Sequence, residues 1–198
     1  LLLGDLYTEA LSFLSLKTNT TLADMTTHYA GYFKAYLNKG IELELLTPEL
    51  QTFDLQKITQ ALKPERDKQF NYLSLQTLYD RYFLHAEGER FELPQAFFMR
   101  VAMGLALQED QKEARAIEFY NLLSSFDFMC STPTLFNAGT RRPQLSSCFL
   151  TTIQDDLDSI YSGLKDNALL SKFAGGLGND WTPVRALGAR IKGTNGQS

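Results

Sequence analysis

Apolar positions in the first two thirds of the chain recur every three or four residues, the spacing that lines one side of an α-helix. Leu6, Tyr7, Ala10, Leu11, Phe13 and Leu14 predict a buried helix over residues 5–16, followed by a polar break at 17–21. A second helix is predicted from near Thr21, with Leu22, Met25, Tyr29, Tyr32, Phe33 and Tyr36 on its stripe and a stop at Gly40. Thr47 followed by Pro48 predicts a third start: a hydroxyl can cap free amide groups, and proline leaves no N–H unpaired at the first helical position. Leu50, Phe53, Ile58 and Leu62 would form that helix's buried side, with its end before Pro64.

A short helix is expected over 74–80. The segments RYFL and RFEL flank HAEGE and predict a β-hairpin turning near Gly88. Pro94 opens another helix with Phe97, Phe98, Val101, Ala102 and Leu105 on its stripe. Residues 110–127 predict one more, with Ile117, Phe119, Leu122, Leu123 and Phe126 facing inward. The pattern then changes. Residues 131–148, STPTLFNAGTRRPQLSSC, are small and polar and read as a loop, and residues 144–153 read as a strand with Cys148 near its middle. Asp155 and Asp156 predict the cap of a helix over 156–172, with Leu157, Ile160, Leu164, Ala168 and Leu169 as a buried or interface stripe. AGGLGND reads as a glycine loop, WTPVRAL as a short strand, and GTNGQS as a further loop. Strand, helix, glycine loop and strand in that order predict α/β architecture behind a helical region.

Composition narrows the class without changing this picture. Of 198 residues, 44% are hydrophobic and 21% charged, which suits a globular chain. The net charge of −4 argues against a general nucleic-acid binder. No apolar run approaches the roughly 20 residues of a membrane span. Two cysteines, Cys130 and Cys148, do not make a disulfide scaffold, so a reducing, cytoplasmic setting is expected. Residues 131–198 hold 7 Lys/Arg against 5 Asp/Glu, whereas residues 1–130 hold 12 against 18; the basic excess can attract an anion but decides nothing alone.

Chemistry concentrates in the last third. Cys148 follows Ser146 and Ser147. A thiol among hydroxyls at a strand can donate electrons and end as a disulfide, although an arbitrary cysteine is more often a small buried hydrophobe. Cys130 lacks such a context and reads as structural. Gly175, Gly176 and Gly178 let a ligand approach the backbone, yet they match neither common phosphate-binding fingerprint, and a helix end explains one of them as well. Asp155, Lys172, Arg185 and Lys192 form a charged set in which a carboxylate can hold a ribose hydroxyl and the cations phosphates. Lys172 also suits the C-terminal end of a helix for electrostatic reasons alone. His28 and His85 are far apart, with no partners at metal-ligand spacing, so no metal site is expected.

PTLFNAGTRRPQLSSCFL, followed by SKFAGGLG, VRALG and IKGTNG, resembles the large (α) subunit of class I ribonucleotide reductase. The match is dense from about Ser131 onward and fainter over residues 1–130. The resemblance implies a mainly α N-terminal region (1–130, with a small hairpin) followed by the start of an α/β ten-stranded barrel (131–198). It implies reduction of ribonucleoside diphosphates to deoxyribonucleotides, the precursors of DNA. Cys148 resembles one of two redox-active cysteines that end as a disulfide. Thr132, Ser147 and Gly176 resemble substrate-contacting positions, while Asp155, Lys172 and Arg185 fall on allosteric effector positions for ATP or deoxynucleoside triphosphates. The helix 156–172 resembles one that packs on its mate in a homodimer, and 188–198 an effector loop. The implied partners are a small (β) subunit whose metal centre supplies the radical, and thioredoxin or glutaredoxin as reductant. No cofactor is implied on this chain itself, and neither membrane nor nucleic acid as a partner.

The family's radical-forming cysteine, second redox cysteine and substrate-linking loop match nothing here, nor does its N-terminal ATP cone. The chain alone is therefore expected to be inactive, as a fragment or a split-gene product. The competing reading from the residues is a non-catalytic nucleotide-binding regulatory or dimerisation module.

Overall fold

A computed structural model describes residues 2–17, 24–172, 175–191 and 193–196, and the chain divides into two compact units at Leu145–Ser146. The first unit is helical: α1 (Leu2–Phe13), α2 (Met25–Glu42), α3 (Leu55–Ala61), α4 (Tyr72–Arg81), α5 (Pro94–Ala106), α6 (Lys112–Ser124) and α7 (Thr132–Asn137). A hairpin of two-residue strands, β1 (His85–Ala86) and β2 (Glu89–Arg90), lies between α4 and α5. Its register pairs His85 with Arg90 and Ala86 with Glu89. Glu87 and Gly88 both have positive φ, at 55° and 90°, as a two-residue turn matched to strand twist requires.

The core collects on α5, which is buried almost all round from Pro94 to Met103. Tyr29, Tyr32, Phe33 and Tyr36 from α2 pack with Phe91, Phe97 and Phe98 in this core, with several rings meeting edge-on or tilted. The phenols do not leave their hydroxyls unpaired there. Tyr32 donates to the Phe91 carbonyl at 2.7 Å and accepts from the Leu93 N–H at 2.8 Å. Such satisfaction is what lets tyrosine serve as a core residue.

Several expectations are corrected. Gly40 does not stop α2, which continues to Glu42; a side chain at Gly40 would run into the Leu46 side chain, so the glycine serves packing. The start near Thr21 and Leu22 lies outside the described residues. The helix expected from Thr47 to Leu62 is two pieces, a 3-10 turn at Pro48–Thr52 and α3. Phe53 is extended (ψ 152°) between them, and the Asp54 carboxylate restarts the helix by accepting from the Gln56 and Lys57 N–H groups. Thr47 bonds the Glu49 side chain instead of capping backbone.

On α6 the buried side is Ala116, Tyr120 and Leu123, while Leu122 and Phe126 are exposed. The stripe is thus rotated from the expected one. The loop expected from Ser131 contains α7, with Pro133 in its first turn. Leu135 and Ala138 are buried in the helical core, so residues 131–145 belong to the first unit and not to the strand that follows.

The second unit is a strand–helix–strand: β3 (Cys148–Thr152), α8 (Leu157–Lys172) and β4 (Gly176–Asp180). The strands pair in parallel, Cys148 opposite Gly176 through Thr152 opposite Asp180. A parallel pair needs a crossover of this length, and α8 supplies it. Three expectations change here. Cys148 begins its strand rather than sitting near the middle. The glycine segment is a strand and not a loop. The WTPVRAL segment is a turn closed by the Val184 N–H on the Trp181 carbonyl, because Pro183 brings no N–H to a ladder. Gly163, the buried residue of α8, lies against Ile153, leaving no room for a side chain between them. The stripe expected on α8 is not covered: Leu157 is 71% exposed, and Leu164 and Leu169 are also open.

Candidate functional site

Ser147, Cys148 and Gly176 come together at the open end of the β3–β4 pair. The Gly176 N–H donates to the Ser147 carbonyl at 2.5 Å, which locks the register that sets Cys148 beside Gly176. A Cβ on Gly176 would lie 3.2 Å from that carbonyl and 3.8 Å from Cys148 Sγ. Glycine therefore does two things: it allows the tight main-chain approach and leaves the face of the sulfur uncluttered. Cys148 is an exposed free thiol on the same strand face as Leu150 and Thr152, and the Ser147 hydroxyl is 3.9 Å from its sulfur. Cys130 is a free thiol in a half-buried setting, where burial pushes its pKa up and disfavours the reactive thiolate.

Two of the effector candidates, Asp155 and Arg185, form a pair. Arg185 Nε donates to both Asp155 oxygens at 2.9 Å, and the Arg185 N–H reaches Oδ1 at 3.3 Å. These hydrogen bonds hold the Asp155 carboxyl below its ordinary pKa and the Arg185 guanidinium above its own. Asp155 thereby joins the loop after β4 to the β3–α8 connection. Capping falls to Asp156, whose Oδ1 accepts the Ser159 N–H at 2.8 Å. Lys172 ends α8, and Lys192 lies outside the described residues. Among the described residues no group of three His, Cys, Asp or Glu side chains is placed to hold a metal ion, and no helix is long and apolar enough to cross a membrane.

Thr132 stands in the first unit as the first residue of α7. Its hydroxyl is 3.2 Å from the Tyr82 hydroxyl, and the Tyr82 ring stacks on Phe136 one turn further along α7, with centroids 4.7 Å apart and planes 11° apart. At the other end of α7 a buried guanidinium collects the carbonyls. Arg100 Nη1 donates to Ala138 O at 2.7 Å and to Phe136 O at 3.3 Å, and Nη2 to Leu135 O at 3.2 Å. Nε and Nη2 of the same side chain fork onto the Glu92 carboxylate at 2.7 and 3.3 Å. Glu92 also accepts from the Tyr36 hydroxyl at 2.5 Å and the Leu84 N–H at 3.0 Å. Every oxygen of this buried ion pair is thus matched by donors from α2, α5 and the hairpin region.

Sequence reasoning missed this clamp, although its signal is visible: Arg100 is a charge inside the apolar run PQAFFMRVAMGLA. It also missed Asp67, buried beneath α1 and α2. That carboxylate accepts from Tyr7 at 2.6 Å, Gln95 Nε2 at 2.8 Å and Tyr29 at 3.2 Å. Within PERDKQ it looks like any solvated charge, so no sequence signal marks it.

Comparison with known proteins agrees with this division. Residues 68–143 match the family model described as the ribonucleotide reductase all-alpha domain, and residues 146–198 match that of the ribonucleotide reductase barrel domain. The whole chain aligns at 52% identity with the ribonucleoside-diphosphate reductase subunit alpha of Chlamydia trachomatis, covering 18% of that protein. It aligns at 46% over 84% of its length with the subunit alpha of Helicobacter pylori, covering 21% of it. It aligns at 46% over 72% of its length with the large subunit of Danio rerio, covering 18% of it. The chain spans about a fifth of the length of these curated relatives.

Proposed function

Because the chain belongs to the ribonucleotide reductase large-subunit family, we propose that it forms part of a class I subunit that reduces ribonucleoside diphosphates to deoxyribonucleoside diphosphates. The observation that carries this is the placement of the free, exposed Cys148 thiol beside side-chain-free Gly176, with the Ser147 hydroxyl adjacent. In the reaction the ribose 2′ C–O bond breaks and a C–H bond replaces it. The oxygen leaves as water, and two thiols become one disulfide. Cys148 supplies one of those thiols and a cysteine outside this chain the other. A small β subunit with a metal centre supplies the radical that starts each turnover, and thioredoxin or glutaredoxin returns the disulfide to thiols.

Thr132, Ser147 and Gly176 contact the substrate in this reading. The first two bring hydroxyl donors and acceptors, and Gly176 brings open backbone. Asp155, Lys172 and Arg185 serve an ATP or deoxynucleoside triphosphate effector. Arg185 and Asp155 are paired with each other, so an effector phosphate recruiting the guanidinium must share or break that pair, which couples effector binding to the loop they tie down. The uncovered stripe of α8, including Leu157 and Leu164, supports a homodimer contact.

The test is Cys148→Ser in the complete large subunit assembled with its small subunit. Multiple turnover with a thioredoxin reductant is expected to fall to background, while substrate binding persists. Full thioredoxin-dependent turnover by the variant would sink the assignment.

A further inference from the structure

We infer that Tyr82 is a positioning residue for the reductase reaction: its hydroxyl orients the Thr132 hydroxyl toward an acceptor on the substrate. This rests on the proposed role of Thr132 and extends it to a residue from a different element. Tyr82 follows the last residue of α4, where its N–H closes the helix on the Leu78 carbonyl, so its backbone is fixed from one side. Its ring is fixed from two others, stacked on Phe136 and edge-on to Phe97, with centroids 4.7 and 6.2 Å apart. Phe136 and Thr132 are four residues apart on α7, so one face of that helix meets both the ring and the hydroxyl of a single tyrosine. At the far end, Arg100 holds the Leu135, Phe136 and Ala138 carbonyls from within the core. Helix α7 is thus prevented from sliding or rolling relative to Tyr82.

The chemistry of the contact follows from donor strength. A phenol is a better donor than an aliphatic alcohol, so the favoured arrangement has Tyr82 donating and Thr132 Oγ1 accepting at 3.2 Å. The Thr132 hydrogen is then left to point away from Tyr82. A nucleoside diphosphate is rich in anionic phosphate oxygens, and a hydroxyl held with its hydrogen outward is matched to them. A free threonine rotor would spread its hydrogen over three staggered positions before binding. Accepting a hydrogen bond from Tyr82 also polarises the Thr132 O–H, so its bond to an anion strengthens.

The experiment is a double-mutant cycle with Tyr82→Phe and Thr132→Val in the complete large subunit, assembled with its small subunit, reading KM and kcat for a ribonucleoside diphosphate. Tyr82→Phe removes one oxygen and keeps both ring contacts, so the melting temperature is expected to stay unchanged. KM is expected to rise roughly three- to tenfold with kcat within about twofold, the pattern of lost binding common to ground and transition states. Thr132→Val should raise KM at least as much, and the double variant should match Thr132→Val alone. If Thr132→Val raises KM but Tyr82→Phe does not, the positioning role is overturned while the substrate role of Thr132 stands. Additive effects of the two substitutions overturn it as well. If Thr132→Val leaves KM unchanged, the substrate reading of Thr132 fails, and the inference with it.

Discussion

Replacing Arg100 by methionine should unfold the helical unit far more readily than a substitution of similar bulk elsewhere. The guanidinium and the Glu92 carboxylate are both wholly inaccessible to solvent. Methionine keeps most of the aliphatic stem but removes every donor. Glu92 is left as a buried anion with only the Tyr36 hydroxyl and the Leu84 N–H, and the buried carbonyls of Leu135 and Ala138 lose their partner. Removing one member of a buried ion pair costs about 3–5 kcal/mol, because the remaining charge has been taken out of water without compensation. The two orphaned carbonyls keep the figure at the upper end. Urea unfolding followed by far-ultraviolet circular dichroism measures it: with a slope of about 2 kcal/mol per molar, the midpoint should fall by roughly 2 M. Glu92→Gln should fall by a comparable amount, since it leaves the guanidinium as the unpaired ion. A shift below about 0.5 M for both variants would refute the reasoning, because it would mean that water reaches the pair once one partner is gone.

Asp67 gives the pH dependence. Burial pushes its carboxyl up to about 7, against the opposing pull of hydrogen bonds from Tyr7, Gln95 and Tyr29. The folded state therefore holds a proton that the unfolded state releases near pH 3.9. The contribution is full below about pH 4 and is lost as pH rises through about 7, on the order of 4 kcal/mol at most. Urea midpoints measured across that window should fall for the native chain relative to Asp67→Asn, and parallel curves would refute it. Gly104→Ala inverts an ordinary rule. An exposed helical glycine such as Gly31, with nothing within 4 Å of an added Cβ, should gain about 1 kcal/mol on substitution by alanine. At Gly104 the same Cβ would stand 2.6 Å from the Ala138 carbonyl carbon and 2.8 Å from Gly139 Cα, so a loss of about 1–3 kcal/mol is expected. Thermal melts of the two variants decide it by sign.

Where a helix buries a single stripe, its existence was legible in the sequence, as with α1 and α2. Three- and four-residue spacing is a local consequence of helix geometry. Boundaries and faces were less so, because they depend on residues far away in the chain. The Leu46 side chain occupies the space left by Gly40, so the glycine reads as a stop while the helix runs on. On α6 the choice between Leu122 and Tyr120 as the inward residue is made by Gln95 and the Lys63 N–H, which give the Tyr120 hydroxyl an acceptor and a donor inside the core. The glycine segment misled for the opposite reason. Strand propensity disfavours glycine, but the wanting side chains are supplied from across the ladder. A Cβ at Gly175 would press on the Phe149 ring, and one at Gly178 would meet Leu150 at 2.8 Å. Glycines that look like freedom along the chain are here filled positions in space.

The candidate site was legible only where the motif lay in one stretch, at Ser147 and Cys148; the pairing of Asp155 with Arg185, 30 residues further along, was not. Nor was the site's support. Residues 1–130 read from sequence as structural filler, yet the residues that hold Thr132 in place come from within them: Tyr82 after α4, and Arg100 on α5 with Glu92 just before it. Each has a physical reason to be where it is that concerns α7 rather than its own element. Arg100 could be apolar if α5 merely needed to be buried, and a guanidinium is tolerated there because helix α7 presents three carbonyls at its C-terminal end, those of Leu135 and Ala138 buried. Phenylalanine at position 82 would preserve both ring contacts, so the phenol oxygen has no packing role, and its one described partner is the Thr132 hydroxyl. A boundary drawn where the composition changes therefore separates α7 from the residues that pack on it, whereas the compact units divide at Leu145–Ser146. In the helical unit, the buried ion pair and the exposed hydroxyl are two ends of one device that fixes the position of a single threonine.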